Sequence, residues 1–283
     1  MTKIVPLLIE EDISSLKQLY IQVFKKKISS NEIRWRFTEN PEIEDGFNGN
    51  IIAKMGNKIL GHTAIMPTNL TINNNHSIKA GLTVASMVSE KSPGLFFYLL
   101  RYMIKYLKDN NFDLIYGFPN KNSFPYLKNL FGFEEGFFNY LQINNKVLNK
   151  ITTDQTISIK NKVFKSLSSS YSFWRFNSFQ NCFSKESKKI RIFYKKYTET
   201  ECDILFIQPL DELSFSVGDL FSLLRTIEGH NTFNYLTTDR QASNILKSYG
   251  FKEKIIYNKF VFRWIGNEIV SNKFFFQMSD NDW

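Results

Sequence analysis

Cysteine and histidine are scarce in this 283-residue chain: only Cys182 and Cys202, and only His62, His76 and His230. Two isolated thiols supply neither a disulfide framework nor a CxxC pair. No histidine has a His or Cys partner at ligand spacing, so no metal is expected. Long apolar runs are missing too. The most apolar one, Leu95–Leu100, falls far short of the ~20 residues a spanning helix needs. Glu10, Glu11 and Asp12 stand where a secretory leader would carry its apolar stretch. These shortages predict a reduced, soluble, cytoplasmic protein with no membrane partner. Glycine, at 13 residues, forms neither a Walker-A loop nor a dinucleotide fingerprint.

Apolar and basic residues are plentiful. Hydrophobic residues make up 43% of the chain, with 28 Phe and 13 Tyr, enough for two cores at this length. The net charge of +9 favours phosphate-bearing partners. Its lysines are dispersed, however, with Lys25-Lys26-Lys27, Lys188-Lys189 and Lys195-Lys196 the only runs. No basic helix with interleaved aromatics appears, and no nucleic-acid partner is expected.

Two segments recur in the same order. SPGLFFYLLR (92–101) matches SVGDLFSLLR (216–225), and FPNKNSFPYLKNLFGFEE (118–135) matches LTTDRQASNILKSYGFKE (236–253), both closing on Gly-Phe. Trp35-Arg36-Phe37 is echoed by SFWRFNSF (172–179). A duplicated order of glycine turn, apolar helix, strand and helix predicts two lobes, residues 1–150 and 151–283. The polar stretch 144–162 reads as the linker between them.

Within the first lobe, Ile4–Ile9 reads as a strand, and Asp12 as the cap of a helix running through Phe24. Asn31–Thr38 reads as a second helix. Gly56-Asn57 joins two strands as a hairpin, Ile78–Val88 is another strand, and Leu95–Lys108 is an amphipathic helix. Phe112–Phe118, Asn122–Leu130 and Phe137–Ile143 follow as strand, helix and last strand. The second lobe repeats the plan, ending on strands at Ile255–Trp264. The expected class is α+β (mixed α/β), with a mostly antiparallel twisted sheet flanked by helices in each lobe.

The strand Thr83–Val88 enters Ser89-Glu90-Lys91-Ser92-Pro93-Gly94 and then a helix directly. Such a turn offers unpaired N–H groups and the positive end of a helix dipole to a pyrophosphate. Gly94 lets the backbone approach without an intervening Cβ, and Lys91 and Ser92 add a cation and a hydroxyl.

Together with FDLIYGFPNKNSFPYLKNLFGF (112–133), this turn resembles the GNAT superfamily of acyl-CoA-dependent N-acyltransferases, over about residues 1–145 with a degenerate second copy. The resemblance implies that Val84–Val88 hold the pantetheine arm and Ser89–Leu95 the pyrophosphate. Asn120 and Asn122 would form the polar entry to the next helix. A backbone N–H near Ser86, Met87 and Val88 would stabilise the oxyanion, with Glu90, His62 or a second-lobe residue as base. The family's thiolate-protonating tyrosine slot is Lys128 here; Tyr126 lies in a different helical phase. Asp219 beside Gly218 sets a carboxylate where phosphates would lie in the second copy, so acyl-CoA is expected in the first lobe.

The co-substrate implied is acetyl-CoA or a short hydroxyacyl-CoA. The acceptor the resemblance implies is a small-molecule amine, that of a nucleotide-diphospho amino sugar, with Arg36, Arg175, Arg191 or Arg225 reaching its phosphates. An aminoglycoside or protein amine, a charged-tRNA enzyme and a non-catalytic acyl-CoA-binding module are alternatives. A homodimer is compatible with the chain.

Overall fold

A computed structural model describes residues 1–73, 75–177, 181–210, 212–266, 271 and 273–278. The first half runs β1 (Lys3–Pro6), α1 (Ile9–Phe24), α2 (Ser30–Thr38), β2 (Asn50–Met55), β3 (Lys58–Ile72), β4 (His76–Val88), α3 (Leu95–Asp109), β5 (Leu114–Gly117), α4 (Phe124–Phe131), β6 (Glu134–Gly136) and β7 (Asn139–Asn144). Next come α5 (Asn145–Leu148), β8 (Thr156–Ser158), β9 (Val163–Lys165), α6 (Ser169–Asn177), β10 (Cys182–Glu186), β11 (Ile190–Lys196) and β12 (Glu201–Pro209). The chain continues through β13 (Ser214–Ser216), α7 (Val217–Arg225), β14 (Thr232–Thr237), α8 (Arg240–Ser248), β15 (Lys252–Glu253), β16 (Phe260–Trp264) and β17 (Phe274–Phe275).

Local chemistry accounts for the element ends. Gly56, at φ +57°, supplies the left-handed residue of the β2–β3 turn. Ser29 Oγ accepts from the Glu32 N–H and caps α2, and Gly132 closes α4 in the left-handed region. α3 buries Leu99, Leu100, Met103, Ile104 and Leu107, one face at helical spacing. Asp12 is not the helix cap, because α1 starts earlier, at Ile9. Its Oδ2 instead accepts from the Leu8 N–H at 3.1 Å, and its Oδ1 from Lys54 Nζ at 3.1 Å.

Two mixed sheets form the body. The first runs β1-β2-β3-β4-β5-β16-β6, and the second β10-β11-β12-β14-β7-β15. Each contains one parallel pair in its path, β4 with β5 and β12 with β14. A late strand of each half lies in the other half's sheet: β7 pairs with β14 and β15, and β16 with β5 and β6. Phe137–Ile143, expected to finish the first lobe's own sheet, therefore builds the second. Alternation alone states that a strand exists, and its partner is chosen by tertiary packing. The stretch read as a linker carries α5 and β8, and β8 pairs with β13.

The echoed WRF segments meet. Trp35 Nε1–H donates to the Trp174 carbonyl and Trp174 Nε1–H to the Trp35 carbonyl, each at 3.1 Å, with ring centroids 5.4 Å apart. Residues 178–179 of the second echo lie outside the described residues. Both tryptophans are buried in a core that includes Leu82, Tyr116, Phe193 and Phe276, so it joins the lobes.

Candidate active site

The site is built where β4 leaves β5. Their parallel ladder spans Ala80↔Leu114 to Thr83↔Gly117 and stops. After Gly117 the chain turns through Phe118-Pro119, and Pro119 has no N–H to extend a ladder. β4 runs on to Val88 without a strand partner on that edge among the described residues. Gly117 marks the vertex, where a Cβ would fall 2.1 Å from Thr83 Oγ1.

On the other edge of β4 the register to β3 shifts between His62↔Met87 and Ala64↔Val84, so Ala85 and Ser86 together oppose Thr63. This is a β-bulge, which withdraws a residue from the ladder and re-aims its polar groups. Ala85 takes φ +47°, a left-handed conformation unusual for a residue with a Cβ. Its carbonyl lies 3.2 Å from His62 Nδ1, and Ser86 Oγ lies 2.7 Å from Thr63 Oγ1.

The splay opens into a cavity of about 610 Å³. α1 and α2 contribute Tyr20, Phe24, Glu32 and Arg36 to one wall, and α3, α4 and the Ser123 that precedes α4 contribute Phe96, Leu100, Leu127 and Ser123 to the other. Thr83–Ser86 and Phe118–Asn120 form the split floor, while Lys26 and Lys27 also line the cavity. Arg36 and Glu32 pair at 3.3 Å across one helical turn.

The turn after β4 is preorganised for an anion. The Ser89 N–H donates to Leu60 O, that of Ser92 to Ser89 O, that of Leu95 to Ser92 O and that of Phe96 to Pro93 O. The N–H groups of Glu90, Lys91 and Gly94 have no intramolecular acceptor among the described residues. Gly94 has a helical φ of −63°, and its missing Cβ would meet nothing within 4 Å. The fold does not itself require glycine there, so the bare backbone is available to a ligand. Donors of this kind at a helix N-terminus, beside an unpaired strand edge, fit the diphosphate and amide groups of an acyl-CoA.

Of the expected residues, Val84, Ser86 and Asn120 line the cavity. Ser89, Lys91, Ser92, Gly94 and Leu95 form the adjoining turn and helix start, with Ser89 buried and Lys91 exposed. Met87 and Val88 face apolar clusters, and Glu90 projects into solvent. Asn120 Oδ1 accepts from the N–H groups of Asn122 and Ser123, closing the start of α4, while Asn122 lies off the lining. His62 is buried behind the bulge, and burial lowers its pKa to about 4. Tyr126 is exposed against Phe96, and Lys128 pairs with Glu135 at 3.0 Å. Gly117, Tyr20 and Glu32 escaped the sequence reading, and Ala85 entered it only as a member of the Val84–Val88 strand. Only the scarcity of glycine could have flagged Gly117, and no local signal marks a left-handed alanine.

The corresponding turn of the second lobe is closed by its own chain. Ser216 Oγ accepts from the N–H groups of Gly218 and Asp219, and the Val217 N–H donates to Gln155 O. A Cβ on Gly218 would fall 2.3 Å from Thr153 O. β12 and β14 also part after Ile204↔Tyr235. Gln277 reaches Ile207 there, accepting from its N–H at 2.8 Å and donating to its carbonyl at 3.0 Å.

Residues 5–136 match the acetyltransferase (GNAT) domain family. The match takes in a little under half of the chain and supports an acyl-CoA-dependent acyltransferase, with acyl-CoA as co-substrate. The whole fold is similar to that of a GCN5-related N-acetyltransferase from Kribbella flavida, with a TM-score of 0.67 and 9% identity over 94% of this chain and 71% of that one. It is equally similar to a probable N-acyltransferase from Enterococcus faecalis V583, with a TM-score of 0.67 and 12% identity over 94% of this chain and 73% of that one. No curated protein matches the sequence. Among the described residues, no group of three His, Cys, Asp or Glu side chains is placed to hold a metal, and no helix is long and apolar enough to cross a membrane.

Proposed function

We propose that the first lobe holds acyl-CoA along Val84–Val88 and the Ser89–Leu95 turn, and transfers its acyl group to a primary amine entering between α1 and α2. The supporting observation is the parting of β4 from β5 into one cavity, with a bulge on its floor and free N–H groups at its end. The amine nitrogen attacks the thioester carbonyl, whose oxygen becomes an oxyanion received by a backbone N–H of the bulge. The C–S bond then breaks, and the thiolate takes a proton from water to leave as free CoA. The ammonium proton passes to the Glu32 carboxylate, directly or through water. Glu32 lines the acceptor side of the cavity, unlike Glu90 or His62.

The acceptor is anionic in this reading, a nucleotide-diphospho amino sugar. Lys26, Lys27 and Arg36 line the cavity beside the expected amine, and the net charge of +9 has the matching sign. The other arginines named for this task have different surroundings. Arg225 donates to the Leu148 carbonyl at 2.8 Å and to that of Ile151, Arg191 pairs with Glu186, and Arg175 is buried on α6. The second lobe then shapes the acceptor side, and the enzyme acts in the cytoplasm. Free-thiol release from acetyl-CoA tests this with UDP-glucosamine, glucosamine, kanamycin and a peptide N-terminus at several salt concentrations. A higher kcat/KM for the nucleotide-linked amine, falling with salt, is expected. Equal, salt-independent values for UDP-glucosamine and glucosamine would remove the anionic acceptor from the reading.

A further inference from the structure

We propose that His62 is a positioning residue for acyl transfer: by donating Nδ1–H to the Ala85 carbonyl, it holds the β4 bulge in the conformation that turns a backbone N–H toward the acyl group. The role rests on the reading that acyl-CoA lies along β4.

The ring is held from several sides. Its edge meets Phe37 with centroids 5.2 Å apart, and Nε2 lies 3.4 Å from Asn50 Oδ1. Asn50 is itself fixed, donating through Nδ2 to the Phe37 carbonyl at 3.1 Å. The Ala85 carbonyl and Asn50 Oδ1 both only accept, and a neutral ring has a single N–H. The shorter contact, Nδ1 to Ala85 O at 3.2 Å, therefore takes the proton, and Nε2 faces Asn50 without a hydrogen bond. His62 is buried at 1% exposure and does not line the cavity, so it acts through Ala85 rather than on substrate.

The reason for such a brace lies in Ala85. At φ +47° its Cβ crowds its own backbone, and a residue stays there only when its surroundings hold it. A return of Ala85 to negative φ would relieve the strain, and it would re-aim the Ala85 carbonyl and the Ser86 N–H that shares its peptide. The bond from His62 to that carbonyl opposes the return. The same strand's other anchor, Ser86 Oγ to Thr63 Oγ1 at 2.7 Å, fixes a side chain and leaves the peptide plane free.

Glycine accepts the left-handed region without a Cβ penalty, which supplies a test that packing alone does not mimic. With acetyl-CoA and the fastest amine of the panel above, H62L is expected to lower kcat at least thirtyfold, with the KM for acetyl-CoA changed less than threefold. Adding A85G to H62L should recover most of that loss. H62Q, whose amide can still donate, should stay within about fivefold of wild type. Amide hydrogen exchange around Ser86 gives a readout independent of turnover: faster in H62L, and slowed again by A85G.

A folded H62L as active as wild type would overturn the role, as would an H62L/A85G protein as slow as H62L with exchange unrepaired. Should H62L fail to fold, H62Q carries the test, and a thirtyfold loss in folded H62Q that A85G does not restore overturns the role. Wild type that neither binds acetyl-CoA nor releases thiol with any amine overturns the acyltransferase reading, and this role with it. Normal wild-type turnover without rescue overturns this role alone.

Discussion

Burying a neutral imidazole makes stability depend on pH in a definite direction. The His62 ring titrates near 6.5 in an unfolded chain, whereas burial holds it at about 4 in the folded one. Between those values the unfolded state binds the proton and the folded state excludes it. Stability from this residue is therefore fully present above pH 6.5 and is lost as pH falls through 4, by ~3 kcal/mol over the window. Burial raises the Glu42 and Asp203 carboxyls, so they act in the opposite sense and must be cancelled by comparison. Urea midpoints of wild type and His62→Gln should converge as pH drops from 6.5 to 4; a constant gap would show that the ring does not titrate this way. Two side chains nearer the chemistry have separable expectations. Glu32→Gln should lower kcat by ~10² with the acetyl-CoA Kd unchanged, as for loss of a base. Tyr126→Phe should cost less than tenfold, since that ring packs on Phe96 and does not line the cavity. Steady-state kinetics beside calorimetry checks both.

The N-termini of α3 and α7 look alike as strings and differ as elements. α3 begins after Gly94, with three N–H groups of its turn left unpaired among the described residues. α7 begins one residue before Gly218, so that glycine lies inside the helix, under the cap from Ser216 and against Thr153. The same substitution should therefore read out differently. Gly94→Glu should abolish acetyl-CoA binding through steric and charge conflict, at little cost to the melting temperature, because open space surrounds that position. Gly218→Ala should lower the melting temperature by several degrees, because its Cβ meets a backbone oxygen, and leave the Kd of the folded protein unchanged. Loss of binding in Gly218→Ala with an unchanged melt would reverse this assignment.

At the scale of the molecule the halves are interlocked. β16 lies between β5 and β6, and β7 between β14 and β15, so each sheet needs a strand from the other half. Trp35 and Trp174 exchange bonds between the WRF segments, and Lys165 of β9 pairs with the largely buried Glu42 before β2. A fragment of residues 1–150 leaves β6 without β16 and should not unfold cooperatively, while its co-expression with 151–283 should restore a soluble complex. A sharp, reversible melt of the fragment alone would show that the exchange is dispensable. The intact chain should bind a single acetyl-CoA, because Gln277 takes the Ile207 backbone groups and Ser216 the α7 N–H groups. Calorimetry giving two sites per chain would count against that arrangement.

What the sequence determines by itself here is local or periodic. The amphipathic face of α3, the Gly56-Asn57 turn and the duplicated order of turn, helix, strand and helix follow from residue spacing, and each has its counterpart in the structure. The candidate turn at Ser89–Gly94 was also legible, since a strand, a lone glycine and a helix are contiguous there. Tertiary structure alone decided which sheet β7 and β16 join, because an apolar alternation carries no label for its partner. It likewise chose Ala85 for the left-handed bend, Glu32 for the cavity wall and Gln277 for the second lobe's opening. Those roles depend on contacts between residues far apart in the chain, where neither propensity nor spacing acts; the paired tryptophans were visible as an echo, but only folding brought them face to face.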